Sequence, residues 1–443
     1  MRIVIAALAV LSLIAGLVMY GAPRILGIAT GYTAKQLCST HFVAELPDQF
    51  VWDYDVFPRM EVMGPLRSQL TYVVDETSAS VTASLLGYQS TARYLGALGC
   101  TLNAPAQAVF VEPKPNAVAT PVLGVPPELQ QLLGDAFEEP AGGGRNTLAI
   151  LVMHRGQLIA ERYADPVTSA TPMQAWSMNK SLIATWIGMQ VERGYLSTDL
   201  RVVDQLAQRY PSQSGRYENL DPELSLLHFM AMSTGLDFEE AYVPGDDVTY
   251  MLYRADTAWT VPLELGHQDV PGAKFRYSSG DTNVAAYFWQ ESLNQPYWEW
   301  IDTEFSQVLG LEDLTAEADA SGYQIGSSYL YMTSRDWLAV GQFWLEALKG
   351  RSDLISADWM RLVTTPQPSS QRGEYGLGFW LNTAGVVFPD APESLFYAGG
   401  NSGQFVAVLP EQDLVVVRLG LSRVDEGMND LLAGLVNTHR RLN

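Results

Sequence analysis

Two pairs of strand-forming segments stand at opposite ends of the larger part of the chain, and they constrain its fold more than any other feature. Residues 148–154 and 157–163 form the first pair, and residues 404–410 and 413–421 form the second. Each pair is rich in β-branched residues and is joined by a short turn, as in a β-hairpin. The long middle is mainly helical in pattern. The sequence therefore predicts an α+β domain whose sheet joins its two ends.

The 443 residues of the chain exceed what one hydrophobic core usually organises, so a second, smaller unit is expected. Residues 31–125 predict a small β-rich module, with strand-forming segments at 71–75, 80–86 and 91–95. Its C-terminal end is rich in Pro, Ala and Val, which suits an extended linker. Residues 126–443 then form the larger domain.

An uncharged, apolar run covers residues 3–23, between Arg2 and Arg24. Its length matches the roughly 30 Å hydrocarbon core of a bilayer. A signal peptide has a shorter apolar region and ends at a small-residue cleavage site, and no clear site of that kind follows here. We therefore predict that residues 1–30 form an uncleaved membrane anchor, with a cleaved signal peptide as the alternative.

Two cysteines, Cys38 and Cys100, lie in the small module. In an exported chain they are expected to form a disulfide, and two unpaired buried thiols are the alternative. Together with the anchor, a disulfide places the larger domain outside the cytoplasm, in a periplasm-type compartment.

The formal net charge is −22, and no basic cluster is visible. Nucleic-acid binding needs clustered Lys and Arg, so we predict no nucleic-acid partner. The sequence also lacks a zinc-binding His-Glu-x-x-His helix, a phosphate-binding loop and a Gly-x-Ser-x-Gly nucleophile motif. It therefore indicates no metal and no cofactor.

Ser177 and Lys180 stand at the start of an apolar helical pattern that ends near Gly194. Residues three apart lie on one helix face, so the lysine can reach the serine hydroxyl. A serine is a weak nucleophile until a base takes its proton, and a desolvated lysine can be that base. None of the other four lysines follows a serine at this spacing. The alternative is a helix-capping serine with a surface lysine.

Two more elements follow in the chain: Tyr277-Ser278-Ser279, and Tyr397-Ala398-Gly399-Gly400 at a strand end. With Ser177 and Lys180 they resemble the S-x-x-K, Y-x-[NS] and K-T-G motifs of the serine β-lactamase and penicillin-binding protein superfamily. The resemblance covers about residues 145–440 and is nearest to the esterase and 6-aminohexanoate-dimer hydrolase branch. It implies a β-lactamase/transpeptidase-like fold, with an antiparallel sheet flanked by helices and a helical subdomain.

The resemblance also implies roles for the matching residues. Ser177 would attack a carbonyl, with Lys180, alone or together with a Tyr277 phenolate, as the base. Tyr277 would then protonate the leaving group. The backbone N–H groups of Ser177 and Gly400 would bind the oxyanion, with Gly399 beside them. Ser279 and Tyr397 would contribute to substrate binding.

Two positions depart from the β-lactamase pattern. Ser279 replaces the usual Asn, and Tyr397 replaces the Lys that helps to hold a substrate carboxylate. We therefore expect a small uncharged ester or amide as the substrate. Cell-wall peptide or β-lactam processing remains one alternative. A catalytically silent binding protein with the same fold is another.

Overall fold

Three antiparallel sheets organise the part of the chain that this computed structural model describes, residues 22–114, 118, 121 and 124–442. The strands, in chain order, are β1 Thr71–Asp75, β2 Ser80–Leu85, β3 Tyr88–Tyr94, β4 Cys100–Leu102, β5 Thr147–His154, β6 Gln157–Tyr163, β7 Met173–Gln174, β8 Leu314–Ala316, β9 Leu330–Met332, β10 Trp380–Leu381, β11 Phe396–Gly400, β12 Gln404–Leu409 and β13 Leu414–Gly420. The three strands predicted in the small module are present.

The largest sheet has six strands in the order β10-β11-β12-β13-β5-β6. Both predicted hairpins are confirmed, and β13 pairs with β5, from Leu414 opposite His154 to Gly420 opposite Thr147. The sheet therefore joins the two ends of the larger domain, as the sequence predicts for an α+β fold.

Helices connect and cover these sheets. The α-helices are α1 Ala22–Phe42, α2 Asp48–Val51, α3 Phe57–Arg59, α4 Pro127–Phe137, α5 Asn179–Glu192, α6 Val202–Arg209, α7 Leu226–Met230, α8 Asp247–Tyr253, α9 Ser279–Glu291, α10 Tyr297–Ile301, α11 Gln307–Leu309, α12 Ser334–Leu348, α13 Ala357–Val363 and α14 Met428–Leu442. Short 3₁₀ and π turns separate several of them. The helical middle predicted by the sequence corresponds to α5 through α13.

Alternate residues of the central strands face opposite sides of the main sheet. Ile150 and Val416 belong to the cluster under α4 and α14, whereas Leu151 and Val415 belong to the main core. Helix α12 covers the main-core face. A Cβ at Gly341 of α12 would lie 2.4 Å from Val415 Cγ1, so glycine permits this close approach of helix and sheet.

The small module is a four-stranded sheet, β1 to β4, packed against helix α1. The disulfide Cys38–Cys100 is present and ties α1 to β4. Helix α1 begins inside the segment 1–30 that the sequence predicts as an anchor, and Ile28 is already buried against the folded chain. The module is therefore partly helical, and its helix starts earlier than residue 31.

The apolar stretch of the predicted anchor lies almost wholly in residues 1–21, which are outside the described residues. Among the helices that the structure does describe, none combines the length and the apolar character needed to cross a bilayer.

A buried ion pair joins the module to the larger domain. Lys35 of α1 donates to the Glu317 carboxylate, which also accepts from Ser39 Oγ at 2.8 Å and from the Cys100 N–H at 2.7 Å. The Lys35 ammonium lies 4.0 Å from the centre of the Tyr329 ring. Glu317 follows β8, and Tyr329 precedes β9, so this network lies in the layer next to the nucleophile segment.

Candidate active site

Ser177 lies in a single 3₁₀ turn, Trp176–Met178, between strand β7 and helix α5. The residue before the turn is attached to strand β9, because the Ala175 N–H donates to the Leu330 carbonyl at 2.7 Å. Trp176 has a left-handed backbone (φ 49°), a strained conformation for so large a residue. This strain occurs directly before the predicted nucleophile, which is half-buried at the start of the helix.

Lys180 is buried one helical turn after Ser177, and its ammonium group contacts three oxygens. Lys180 Nζ is 2.9 Å from Ser177 Oγ, 3.0 Å from Ser279 Oγ and 3.1 Å from the Ser327 carbonyl oxygen. These three contacts match the three donors of an ammonium. When the amine is neutral, its lone pair can instead accept the Ser177 proton.

Electrostatics favour the neutral amine more than is usual for lysine. Burial lowers the pKa of Lys180 to about 8, and the negative charge of Glu240 opposes this effect. A base whose pKa lies near the working pH transfers protons most effectively. Lys180 can therefore lose its own proton close to neutral pH.

Tyr277 lies beside this pair. Its ring centre is 4.8 Å from Lys180 Nζ, and Ser177 is near enough to its hydroxyl to lower the Tyr277 pKa slightly. Burial, together with Tyr375 and Glu240, raises the pKa of Tyr277 well above its ordinary value. The side chain is therefore a neutral phenol, and of the two groups only Lys180 has a pKa near neutral pH.

Gly400 ends strand β11 next to the nucleophile segment. A Cβ on this residue would lie 2.3 Å from the Ala175 carbonyl oxygen, so β11 approaches the turn closely only because Gly400 has no side chain. At Gly399 an added Cβ would meet side chains, Tyr397 at 3.0 Å and Trp380 at 3.4 Å. The structure thus brings Gly400 beside Ser177, as the oxyanion role requires.

Tyr397 is buried, with 6% of its surface exposed. The Trp380 ring lies between Tyr277, at 5.2 Å, and Tyr397, at 6.3 Å, in one aromatic stack. Tyr397 also packs against Phe388 and Phe405. Trp380 is the ring that stacks on Tyr277.

Ser279 links Lys180 to an acidic residue that sequence reasoning missed. Its hydroxyl donates to Glu240 Oε1 at 2.7 Å, and its backbone N–H donates to Glu240 Oε2. Burial raises the pKa of Glu240, while Lys180 and Ser279 lower it. Glu240 has no motif spacing to mark it; the only signal is its place in the acidic segment between the nucleophile helix and Tyr277.

Three other acids of that segment have different surroundings. Asp246 caps helix α8 by accepting from the Thr249 N–H at 3.0 Å, and Asp247 pairs with Arg24 at 3.4 Å. Asp237 is exposed. Within the described ranges, no group of three His, Cys, Asp or Glu side chains is placed to hold a metal ion.

Comparisons with known proteins agree with this geometry. The β-lactamase family model matches residues 133–431. A protein from Bacillus anthracis assigned as a 6-aminohexanoate-dimer hydrolase superposes with a TM-score of 0.58 at 16% identity, over 91% of this chain and 98% of its own. That coverage must include most of the small module.

Two further solved structures share the fold. A penicillin-binding protein homolog from Caulobacter crescentus superposes with a TM-score of 0.56 at 13% identity, covering 72% of this chain and 100% of its own. The hydrolase EstCE1, with promiscuous acyltransferase activity, superposes with a TM-score of 0.54 at 14% identity, covering 70% of this chain and 97% of its own. A search of curated protein sequences finds no significant match. Because the family model matches more than half of this chain, the chain belongs to the β-lactamase family.

Proposed function

We propose that this protein is a serine hydrolase that cleaves a small uncharged ester or amide through an acyl-enzyme on Ser177. The observation that carries the proposal is the 2.9 Å contact between Ser177 Oγ and Lys180 Nζ, a buried amine whose pKa is lowered to about 8. A catalytically silent binding protein would have no need for a buried lysine held against a serine.

In the first half of the reaction, neutral Lys180 takes the Ser177 proton as Oγ attacks the substrate carbonyl carbon. The N–H groups of Ser177 and Gly400 stabilise the negative charge on the carbonyl oxygen. When the tetrahedral intermediate collapses, the leaving group receives the Tyr277 proton, and the Lys180 ammonium returns a proton to Tyr277. In the second half, water gives a proton to neutral Lys180 and attacks the acyl carbon. When this second intermediate collapses, the bond between the acyl carbon and Ser177 Oγ breaks, the Lys180 ammonium returns the proton to Ser177 Oγ, and the carboxylic acid leaves.

An uncharged substrate is favoured because Tyr397 cannot supply the positive charge that a substrate carboxylate needs. Processing of β-lactams or cell-wall peptides is therefore the second candidate.

The test uses a fluorophosphonate probe and p-nitrophenyl acetate on the full chain. We expect Ser177→Ala to abolish labelling and turnover, and Lys180→Ala to reduce turnover at least about 100-fold, as for loss of a general base. Ser181→Ala is the matched control, because Ser181 lies on the same helix and bonds the Gly378 carbonyl instead. Equal labelling of wild type and Ser177→Ala would overturn the proposal, and a long-lived penicillin adduct would favour the second candidate.

We further propose that the enzyme works in an oxidising, periplasm-type compartment and is held to the membrane by residues 1–21. The Cys38–Cys100 disulfide supports the compartment, and the uncharged run supports the anchor. Fractionation of cells that produce the full chain and a variant lacking residues 1–21 tests both points. Recovery of full-length enzyme only in soluble fractions would contradict the anchor.

A further inference from the structure

An apolar cavity of about 310 Å³ lies between the small module and the larger domain, directly beside the candidate site. Helix α1 contributes Ile28, Ala29 and Tyr32 to its wall, and the 3₁₀ helix Met60–Gln69 contributes Met60 and Met63. This volume is within the range of small-molecule binding pockets. The module therefore forms one side of a pocket that the larger domain alone would leave open.

Three wall residues of the larger domain connect the cavity to the catalytic groups. Trp176 directly precedes Ser177, Asn401 directly follows Gly400, and Tyr242 is near enough to Ser279 for that residue to affect the Tyr242 pKa. The strained backbone of Trp176 places its buried ring in the wall while the next residue faces Lys180. The pocket is therefore next to the predicted nucleophile and oxyanion donors.

The charge at this wall is already neutralised. Arg59 donates to Asp55 Oδ1 at 2.6 Å and to Ser402 Oγ at 2.6 Å, and Tyr32 donates to Asp55 Oδ2 at 2.7 Å. The guanidinium lies 5.4 Å from the Trp176 ring and completes the wall by stacking. An uncharged, apolar group suits a pocket whose charged side chains are paired with each other.

The acyl side of the substrate fits this position better than the leaving group. The leaving group must approach Tyr277, whose ring packs against Trp380 and Tyr375, and neither of these lines the cavity. Trp176 and Asn401 instead adjoin the two oxyanion donors, which hold the carbonyl throughout the reaction.

We propose that the cavity between α1, Met60–Met63 and Trp176 is the acyl pocket, so that the enzyme prefers esters or amides of medium-length apolar acids. The proposal rests on the hydrolase function proposed above. It gives the small module a direct role in substrate selection.

The test measures kcat/KM of the full chain for p-nitrophenyl acetate, butyrate and hexanoate. Each buried methylene is expected to raise kcat/KM about three- to fourfold. Met63→Trp, which fills the cavity, should bring the hexanoate-to-acetate ratio of kcat/KM down toward one. Leu66→Trp is the matched control, because Leu66 lies three residues after Met63, beyond the backbone kink at Gly64, is 47% exposed and does not line the cavity.

Met63→Ala is a second variant that enlarges the pocket, and we expect it to move the optimum toward octanoate. Equal kcat/KM values for acetate and hexanoate in the wild type would overturn the acyl pocket. So would an equal loss for both esters in Met63→Trp. If either result is seen while turnover still depends on Ser177, only the acyl pocket is overturned and the proposed hydrolase function stands. If turnover survives in Ser177→Ala, the proposed hydrolase function is overturned as well.

Discussion

At the scale of single residues, the charge on Lys180 decides when Ser177 can react. The amine contacts three oxygens and has a carboxylate, Glu240, one hydroxyl away through Ser279. The carboxylate favours the ammonium form, and burial favours the neutral amine. Glu240 is therefore a positioning residue that also adjusts the base, without contact to the reacting atoms.

The first prediction concerns pH. Since only the neutral amine accepts the Ser177 proton, kcat/KM should rise with pH through a midpoint near pH 8 and level off above it. Glu240→Gln removes the charge that raises the lysine pKa, so the midpoint should move to lower pH. A pH profile of p-nitrophenyl acetate hydrolysis measures both. An unchanged midpoint in Glu240→Gln, with activity retained, would show that Glu240 does not act on Lys180.

The spacing of one helix turn predicted the pair Ser177 and Lys180, and the resemblance to the β-lactamase motifs added Tyr277 and Gly400. Glu240 could not be found that way. Its contact with Ser279 joins residues 39 positions apart, and only the folded chain brings them together.

At the scale of secondary-structure elements, the site depends on how closely β11 approaches the turn before α5. The sequence predicted both hairpins and the nucleophile helix, because alternation and helical spacing are local patterns. It did not predict that Trp380 would separate Tyr397 from Tyr277, since this depends on the packing of β10 against β11. Local sequence patterns predicted the elements, but they could not predict the contacts between those elements.

The second prediction tests the close contact between β11 and the turn before α5. In Gly400→Ala the new Cβ would lie 2.3 Å from the Ala175 carbonyl oxygen, a backbone atom, so β11 must move away from the oxyanion position. We expect a loss of about 100-fold in kcat for p-nitrophenyl acetate, the size seen when one oxyanion donor is lost. Gly399→Ala is the matched control. Its Cβ meets only side chains, so a loss as large as that of Gly400→Ala would contradict the assignment.

At the scale of the whole molecule, helix α1 holds the small module and the larger domain together. It is joined to β4 by the Cys38–Cys100 disulfide and to the segment after β8 by the Lys35–Glu317 pair. The same helix lines the proposed acyl pocket. Stability of this junction and substrate selection are therefore expected to be linked.

The third prediction concerns the disulfide, whose cysteines are 62 residues apart in sequence. A cross-link of this length typically stabilises a fold by about 2–4 kcal/mol. We expect the Cys38→Ala/Cys100→Ala variant to unfold at a lower urea concentration, while Ser177 still reacts with a fluorophosphonate under native conditions. Unchanged urea midpoints would show that the cross-link contributes nothing to stability.

The fourth prediction concerns the buried ion pair. Lys35 is 2% exposed and Glu317 is fully buried, so Lys35→Met leaves a carboxylate without its cation. Loss of one partner of a buried pair typically costs about 3–5 kcal/mol, whereas an exposed pair contributes at most about 1 kcal/mol. Lys274→Met, which breaks the exposed pair with Asp269, is therefore the matched control.

Adding Glu317→Gln to Lys35→Met should recover part of the lost stability, because a neutral amide replaces the unpaired charge and can keep one acceptor for the Ser39 hydroxyl or the Cys100 N–H. Urea unfolding of both single variants and the double variant gives the coupling free energy. If the losses of unfolding free energy in the two single variants simply add up in the double variant, the ion pair does not hold the module to the larger domain. A large coupling, together with a weaker preference for hexanoate in Lys35→Met, would show that this pair also keeps α1 in place beside Trp176.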